Sequence, residues 1–358
     1  MIGYLLLGGL GMIGSGIYIF HFLKRFLINI LNIEFTGKVV VLVAIISILI
    51  VLPAYNFFRL YTIVLYHFVV ISLVLELVNI FLKNNGLFRY IYQTGIISIV
   101  IASMFLGYGL YNMNHVSQTN KNFTSSKVND LTILQITDLH MGTTMGTSKL
   151  KKLCNEMSQT KPDIVVLTGD IVDESTTKKE MEECFKLLGD IYNTKGVYYV
   201  FGNHDSATYS SNPPFNHQQV RETVESNKII CLEDEPYTVD NITIIGRKDP
   251  GFSDNIKRKT TKELMKDVNK NNYIIMLDHQ PLDLDNNEKY GVNLQLSGHT
   301  HGGQIWPAGI FEHLVQGTLV YGTKDDGKFV AYTSSGIAGW GYPIKTGAKS
   351  EYVYITVK

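Results

Sequence analysis

Hydrophobic positions follow two different patterns along this chain. From Ile2 to Leu23, Val39 to Phe58, Tyr61 to Leu82 and Tyr90 to Met113 they run almost without interruption, each stretch near the ~20 residues a helix needs to cross hydrocarbon. Each is bounded by charged or polar residues, and none shows the polar face of period 3.6 expected of a buried soluble helix. Four membrane helices within residues 1–113 are therefore expected; the alternative is a set of buried soluble helices. The first stretch has no basic n-region and ends in Lys24 and Arg25, so it is expected to stay in place and not to be removed as a signal peptide. Pro53 is expected to kink the second span or to lie in the turn near its end. Glu76, close to Asn79 and Lys83, is expected as an interfacial carboxylate paired with Lys83; a functional carboxylate at membrane depth is the sharper alternative.

After Met113 the pattern changes. Residues 114–130 are rich in Asn, Ser, Thr and Lys without an apolar period, which predicts a linker. Residues 131–358 then alternate short β-rich runs with amphipathic stretches. LTILQIT, DIVVLTG, GVYYVFG, NITIIG, YIIMLD and VNLQLSG read as strands, and Ser148 to Gln159, Lys178 to Ile191, Asn216 to Ser226 and Thr260 to Asn269 as helices. This order predicts an α/β layered domain with its central strands covered on both faces. KFVAYTSSG and EYVYITVK follow with no helix between them, which predicts a second sheet or an antiparallel edge.

Charge refines the picture only by location. The formal net charge of zero averages a membrane-like half with an ordinary soluble half, and no basic stripe points to nucleic acid. Lys24, Arg25 and Lys38 lie between the first two spans and Lys83 and Arg89 between the last two, whereas the second loop has only Arg59. The positive-inside rule then places everything after Met113 outside, with a cytoplasmic domain as the alternative because Lys121 and Lys127 follow the last span. Cys154, Cys184 and Cys231 lack CxxC spacing and are expected as small buried apolar residues.

The chemistry concentrates where strands end. The first soluble strand runs into Asp138-Leu139-His140, the second into Gly169-Asp170-Ile171-Val172-Asp173, the third into Gly202-Asn203-His204-Asp205. Later ones end in Asp278-His279-Gln280 and Gly298-His299-Thr300-His301. Each alone has a bland reading: a turn in which Asp caps backbone N–H groups, a helix N-cap, a histidine at the edge of the core. Together, at strand ends that converge on one crevice in an open α/β sheet, they take five of the ten histidines to one place. Carboxylate, imidazole and amide oxygen without thiolate fit a divalent ion such as Mn²⁺, Fe²⁺ or Zn²⁺ in a non-structural site. The donors are too many for one ion. Two ions ~3.5 to 4 Å apart, bridged by a carboxylate, suit in-line attack on phosphorus.

ITDLH, LTGDIVD, GNHD, LDHQP and SGHTHGGQ resemble the calcineurin-like metallophosphoesterases, in the family's order, over residues 131–358. SGHTHGGQIWP and SSGIAGWGYPIKTGAKSEYVYI are similar to the membrane-anchored branch, which often has Arg where Lys345 stands and GNHE where this chain has GNHD. The resemblance implies a four-layer α/β/β/α sandwich. It implies that Asp138, His140, Asp170 and His301 hold one ion and that Asp170, Asn203, His279 and His299 hold the other, with Asp170 bridging and a hydroxide between the ions as nucleophile. His204 would be the general acid, or the donor that neutralises charge on phosphorus. Asp173 would orient it, a role Asp205 could share if it does not simply cap the following turn.

The expected protein is thus a multi-pass membrane phosphohydrolase with two divalent ions, Mn²⁺ first and Fe or Zn as alternatives. Four spans exceed what an anchor needs, so a lipid-linked phosphate ester, phosphodiester or pyrophosphate is the expected substrate class. Soluble nucleotides or phosphodiesters are the alternative, as is a membrane sensor or scaffold whose metal site does not turn over. Phe252, Phe311, Leu314, Val315, Trp340 and Tyr342 would line an acyl-chain approach, or else pack in the core or against membrane helices.

Overall fold

The computed structural model describes the backbone of residues 2–56, 59–251 and 257–358, with side chains described from Gly8 onward; Phe252 lies outside the described residues. The chain divides into two compact units, Met1–Leu110 and Tyr111–Lys358.

The first unit is helical: α1 (Ile2–Asn29), α2 (Gly37–Val51), α3 (Leu60–Leu82), α4 (Gly86–Thr94) and the body of α5 (Ile96–Asn114). Among the described residues, three helical segments are long and apolar enough to cross a membrane: Gly37–Tyr55, Leu60–Leu82 and Ile96–Asn114. Pro53 sits in a single 3₁₀ turn, Leu52–Tyr55, that continues the second span, as its missing N–H favours at the start of a tighter turn. The last span is shorter than expected. Gly95, in left-handed geometry at φ 70°, ends α4 and separates it from α5, so residues 90–94 belong to a different helix. Glu76 pairs with Arg25 at 2.7 Å instead of Lys83, and it also accepts from the hydroxyls of Tyr18 and Tyr92. The partner that the sequence hides is one helix away in space and 51 positions away in the chain.

The second unit holds two six-stranded sheets. One has the order β1 (Val116–Phe123), β12 (Ser350–Val357), β2 (Leu131–Ile136), β3 (Ile164–Thr168), β4 (Val197–Val200), β5 (Ile229–Cys231). The other runs β10 (Gly322–Asp325), β11 (Val330–Thr333), β9 (Leu294–Ser297), β8 (Tyr273–Leu277), β7 (Ile242–Gly246), β6 (Glu235–Val239). β2 to β5 are parallel, as are β7, β8, β9 and β11, while β12 pairs antiparallel with β2 and β10 with β11. Residues alternate between faces with the period of two that a strand imposes. Ile133, Val166, Ile244 and Ile275 share one apolar cluster between the sheets. Leu134, Val165 and Leu167 join a second cluster with α6 (Thr147–Gln159), α7 (Lys178–Gly189) and α8 (His217–Ser226). Ile245, Ile274 and Met276 join a third with α9 (Thr261–Leu264). Capping boxes at Thr177/Glu180, Asn216/Gln219 and Thr260/Glu263 start α7, α8 and α9 by satisfying otherwise unpaired N–H groups.

Several expectations change. The stretch expected as a linker contains β1, eight residues paired in parallel with β12; its polar sequence fits an edge strand with one face in water. The helix expected to Asn269 ends at Leu264. Two further helices, α10 (Leu284–Tyr290) and α11 (Ala308–Gln316), stand where no amphipathic stretch was evident. Cys154, Cys184 and Cys231 are free and buried.

Glu233 gives the second unit an acid-labile contact. Burial works against its charge, but hydrogen bonds from His217 and Arg221 hold its pKa down to about 2. A depressed folded pKa contributes stability that is present above the ordinary carboxylate range and lost as pH falls toward 2. Glu233→Gln should therefore be less stable than the parent near neutral pH by about 1 kcal/mol, water screening the remainder of this partly exposed pair. The difference should shrink between pH 4 and pH 2 in thermal unfolding; a difference independent of pH would refute the assignment.

Candidate metal centre

Five strands deliver the site from their carboxyl ends. β2 leads to Asp138 and His140, β3 to Asp170 and Asp173, β4 to Asn203 and His204, β8 to His279, and β9 to His299 and His301. The backbone turns abruptly there. Asp138, His140, Asp170, His299 and His301 all have positive φ, between 45° and 72°, a costly geometry for residues with a Cβ and one that clusters at functional sites. Two glycines let the turns close on one another. A Cβ on Gly298 would strike Thr137 and the carboxylate of Asp138, and one on Gly202 would strike Asp170.

The donors form two groups, Asp138 with His140 and His301, and Asp170 with His279 and His299, each with its ligand atoms within 4.8 Å of one another. Asp170 stands between them: its Oδ2 lies 3.1 Å from His279 Nε2 and 3.7 Å from His140 Nε2, while its Oδ1 accepts from the backbone of His204. Within the groups, His140 Nε2 faces His301 Nε2 at 3.3 Å, and His299 Nδ1 faces His279 Nε2 at the same distance. His301 Nε2 is 3.5 Å from Asp138 Oδ1.

Several imidazoles are held from behind. Nδ1 of His279 contacts the carbonyl of Thr168 at 2.8 Å, Nδ1 of His140 contacts Asp173 Oδ2 at 3.2 Å, and Nδ1 of His301 lies 3.4 Å from the carbonyl of Ala338. If each Nδ1 carries the proton, each inward Nε2 presents a lone pair, as metal-ligating histidines require. Burial, followed by the neighbouring His279, pushes His299 down to about 3; burial, then His140 and Lys345, pushes His301 well below its usual value. Both are neutral and ligand-ready at pH 7. Asp170 and His279 shift each other: burial opposes charge on both, but their mutual attraction holds the Asp170 carboxyl well below and the His279 imidazole well above its usual range, so His279 must shed a proton to act as a ligand.

A divalent-ion pair fits this arrangement on the structure's own terms. Lone-pair nitrogens and carboxylate oxygens converge in a buried space where their mutual repulsion calls for a cation or protons between them. Asn203 adds an independent sign. Its Oδ1 and Nδ2 are both buried with no hydrogen-bond partner of good geometry, although Tyr209 is close enough for its phenol to feel the amide. A buried amide left unpaired costs roughly 1–3 kcal/mol, which coordination through Oδ1 would offset.

The neighbours of the general-acid candidate differ from expectation. His204 Nδ1 is 2.9 and 3.1 Å from the two carboxylate oxygens of Glu174; Asp173, expected to orient it, backs His140 instead. The sequence offered GDIVDE as two adjacent acids, and nothing in their spacing separates the one that faces His140 from the one that faces His204. Burial lowers the His204 pKa, but the Glu174 hydrogen bond and the charges of Asp170, Glu174 and Asp173 outweigh it, so the net shift is upward. Asp205 does not reach His204. Its carboxylate accepts from the backbone N–H of Asp170, Ile171, Val172 and Gly202, at 2.6 to 3.0 Å, and clamps the two loops that carry Asp170 and Asn203. Tyr209 and Trp340 flank the His204 ring, with centroids 5.0 and 5.2 Å away. Lys345 is fully buried, its ammonium donating to the carbonyls of Ser335, Gly336 and Ala338, and burial draws its pKa to about 7.

Comparison with known proteins follows the same residues. The family profile for calcineurin-like phosphoesterases matches residues 131–303, a range that includes every donor named above. A Campylobacter jejuni protein named an uncharacterized metallophosphoesterase is 29% identical over 283 residues, covering 76% of this chain and 71% of its own length. A Danio rerio protein named a transmembrane protein with metallophosphoesterase domain is 24% identical over 294 residues, covering 76% of this chain and 64% of its own. The chain also spans 59% of a Helicobacter pylori relative that is 30% identical. Among solved structures, TT1561 of Thermus thermophilus aligns with 58% of this chain and 92% of its own at 13% identity and a TM-score of 0.40. The family match identifies a calcineurin-like metallophosphoesterase domain over residues 131–303, within the second unit, the domain type of a metal-dependent phosphoesterase.

Proposed function

We propose that the protein is a membrane-anchored phosphohydrolase that uses two divalent ions, Mn²⁺ first with Fe or Zn as alternatives, on a lipid-linked phosphate ester, phosphodiester or pyrophosphate. In this reading the metallophosphoesterase domain is a four-layer α/β/β/α sandwich that follows four membrane helices and works on the extracytoplasmic side. The observation that carries the enzymatic part is the pair of donor groups sharing Asp170, with the unpaired amide of Asn203 beside them. Support for the membrane part comes from three helical segments of spanning length and from relatives whose names include a transmembrane region.

Bound ions of this kind supply Lewis acidity and a water acidified toward neutrality. The residues do the rest. Asp138, His140 and His301 hold one position; Asn203, His279 and His299 hold the other; Asp170 serves both. Asp173 fixes the ring of His140 from behind. His204 gives its Nε2 proton to the departing oxygen while Nδ1 stays with Glu174, which orients the ring and favours its protonated form.

Purified full-length protein should hydrolyse a generic aryl phosphodiester when Mn²⁺ is supplied and stop when it is chelated. Asn203→Ala should lose at least ~10²-fold in kcat/KM and part of its bound metal. Absence of metal-stimulated turnover, with Asn203→Ala indistinguishable from the parent, would remove the enzyme reading. A panel of lipid phosphates against soluble nucleotides tests the substrate class, a higher kcat/KM for the nucleotides overturning the lipid assignment. Labelling Ser126→Cys in intact cells with an impermeant reagent tests the side of the membrane.

A further inference from the structure

Helix α11 buries none of its residues. Ile310, Phe311, Leu314 and Val315 are 53%, 61%, 72% and 80% exposed, and their i, i+1, i+4, i+5 spacing puts them on one stripe of the helix. Ala308, Gly309, Glu312, His313 and Gln316 take the remaining positions. Four large apolar side chains on a single stripe form a contiguous patch of the kind that marks a partner surface.

The surroundings of α11 indicate its partner. The helix begins directly after the loop that carries His301, through Gln304, Trp306 and Pro307. Gln304 binds this loop to residues 340–347: its side-chain amide donates to the carbonyls of Trp340 and Ile344, its Oε1 accepts from the N–H of Trp340, and its backbone carbonyl accepts from Thr346 and Gly347. The last turn of α5, residues 111–114, belongs to the same compact unit and packs on that second loop. Asn112 donates to the carbonyl of Lys345 at 3.2 Å, and Met113 is buried where a Cβ on Gly339 would touch it. Residues 111–114, the last turn of α5, thus lie against the loop pair from which α11 departs. Between α11 and the metal-ligand loop lies a cleft of about 390 Å³, lined by Gly302, Gly303, Trp306, Ile310, Leu314 and Tyr321.

We propose that α11 is an interfacial anchor whose Ile310–Phe311–Leu314–Val315 stripe lies in the phospholipid headgroup–acyl boundary, with the adjoining cleft opening from that lipid surface toward the metal centre. Short amphipathic helices with large apolar residues on one side and polar residues on the other lie in this boundary without crossing it. Trp306 at the root of α11 is the residue type enriched at that depth. The inference rests on the reading of the chain as membrane-anchored and is independent of which phosphate bond is cleaved.

The test uses the full chain in phosphatidylcholine–phosphatidylglycerol proteoliposomes. Phe311→Cys and Leu314→Cys, each labelled with an environment-sensitive nitrobenzoxadiazole probe, are compared with labelled Lys179→Cys on α7, a side chain 84% exposed. At positions 311 and 314 the emission should shift to the blue and fall at least twofold when lipids carrying doxyl quenchers near the headgroup are included, while position 179 should do neither. Water-like emission at 311 and 314 overturns the proposal. A blue shift without doxyl quenching also overturns it, because the stripe is then covered by protein, either the chain's own helices or a second copy. Alkaline carbonate extraction of the same vesicles separates the two levels. A chain retained in lipid with water-like probes refutes the anchor role of α11 alone, whereas a chain released by carbonate refutes the membrane-anchored reading, whatever the probes report.

Discussion

Replacing His204 by alanine should lower kcat by about 10²–10⁴, the range a positioned general acid supplies, while leaving both metals bound. His204 is not a member of either donor group; its ring packs edge-on to His140 at 5.4 Å and also meets Glu174, Tyr209 and Trp340. The separation of kcat from metal content distinguishes it from Asn203, whose replacement should reduce both. Glu174→Gln should cost about tenfold, the order expected when the carboxylate behind a functional imidazole is neutralised. It should also change the pH profile in a fixed direction. Because the His204 pKa is raised, the proton-donating form persists above the ordinary histidine range, and activity falls on the alkaline side as that proton is lost. Removing the Glu174 charge lowers the pKa, so the alkaline limb of kcat should move toward lower pH in Glu174→Gln. A limb that stays in place or moves upward would show that Glu174 does not govern His204.

Asp205→Ala should markedly destabilise the second unit. One carboxylate with no exposed surface satisfies four backbone N–H groups on two loops. Alanine leaves these donors buried and unpaired, at roughly 3 kcal/mol or more in total, which for a unit of this size means a fall of roughly 6–12 °C in Tm. The same loops carry Asp170 and Asn203, so metal content should fall as well. Asp205→Asn keeps one accepting oxygen and should lie between alanine and the parent. Thermal unfolding with metal analysis of both variants checks this, and an unchanged Tm in Asp205→Ala would dismiss the clamp.

These two residues also mark how far the sequence could be read. That Asp138, His140, Asp170, His279, His299 and His301 would meet was legible because each follows an apolar strand, and parallel strands bring their carboxyl ends together. The roles of Asp173, Glu174 and Asp205 were not, because which acid meets which partner depends on turns with positive φ that no periodicity encodes. Apolar periodicity located the central strands for the same reason it missed β1: VSQTNKNF has no apolar alternation, since an edge strand needs only a backbone partner and one buried face. The break at Gly95 was hidden by continuous apolarity on both sides, where only a left-handed φ distinguishes two helices from one. Phe311, Leu314 and Val315 stood out as apolar residues, but neither the helix that carries them nor its exposure did, because composition does not say which apolar residues the fold leaves uncovered.

The order of the first sheet has a consequence for synthesis. β1 and β2 are neighbours in the chain but not in the sheet; β12 lies between them, parallel to one and antiparallel to the other. Among the described strands, β1 has no other hydrogen-bonding neighbour. While the chain is being made, β1 therefore waits unpaired until residues 350–357 emerge, a late closure between distant segments of the kind that slows folding. An apolar strand held open for that interval would be a template for pairing with another nascent chain. The Ser, Gln, Asn and Lys of β1, uninformative as a folding signal, are what allow it to wait in water.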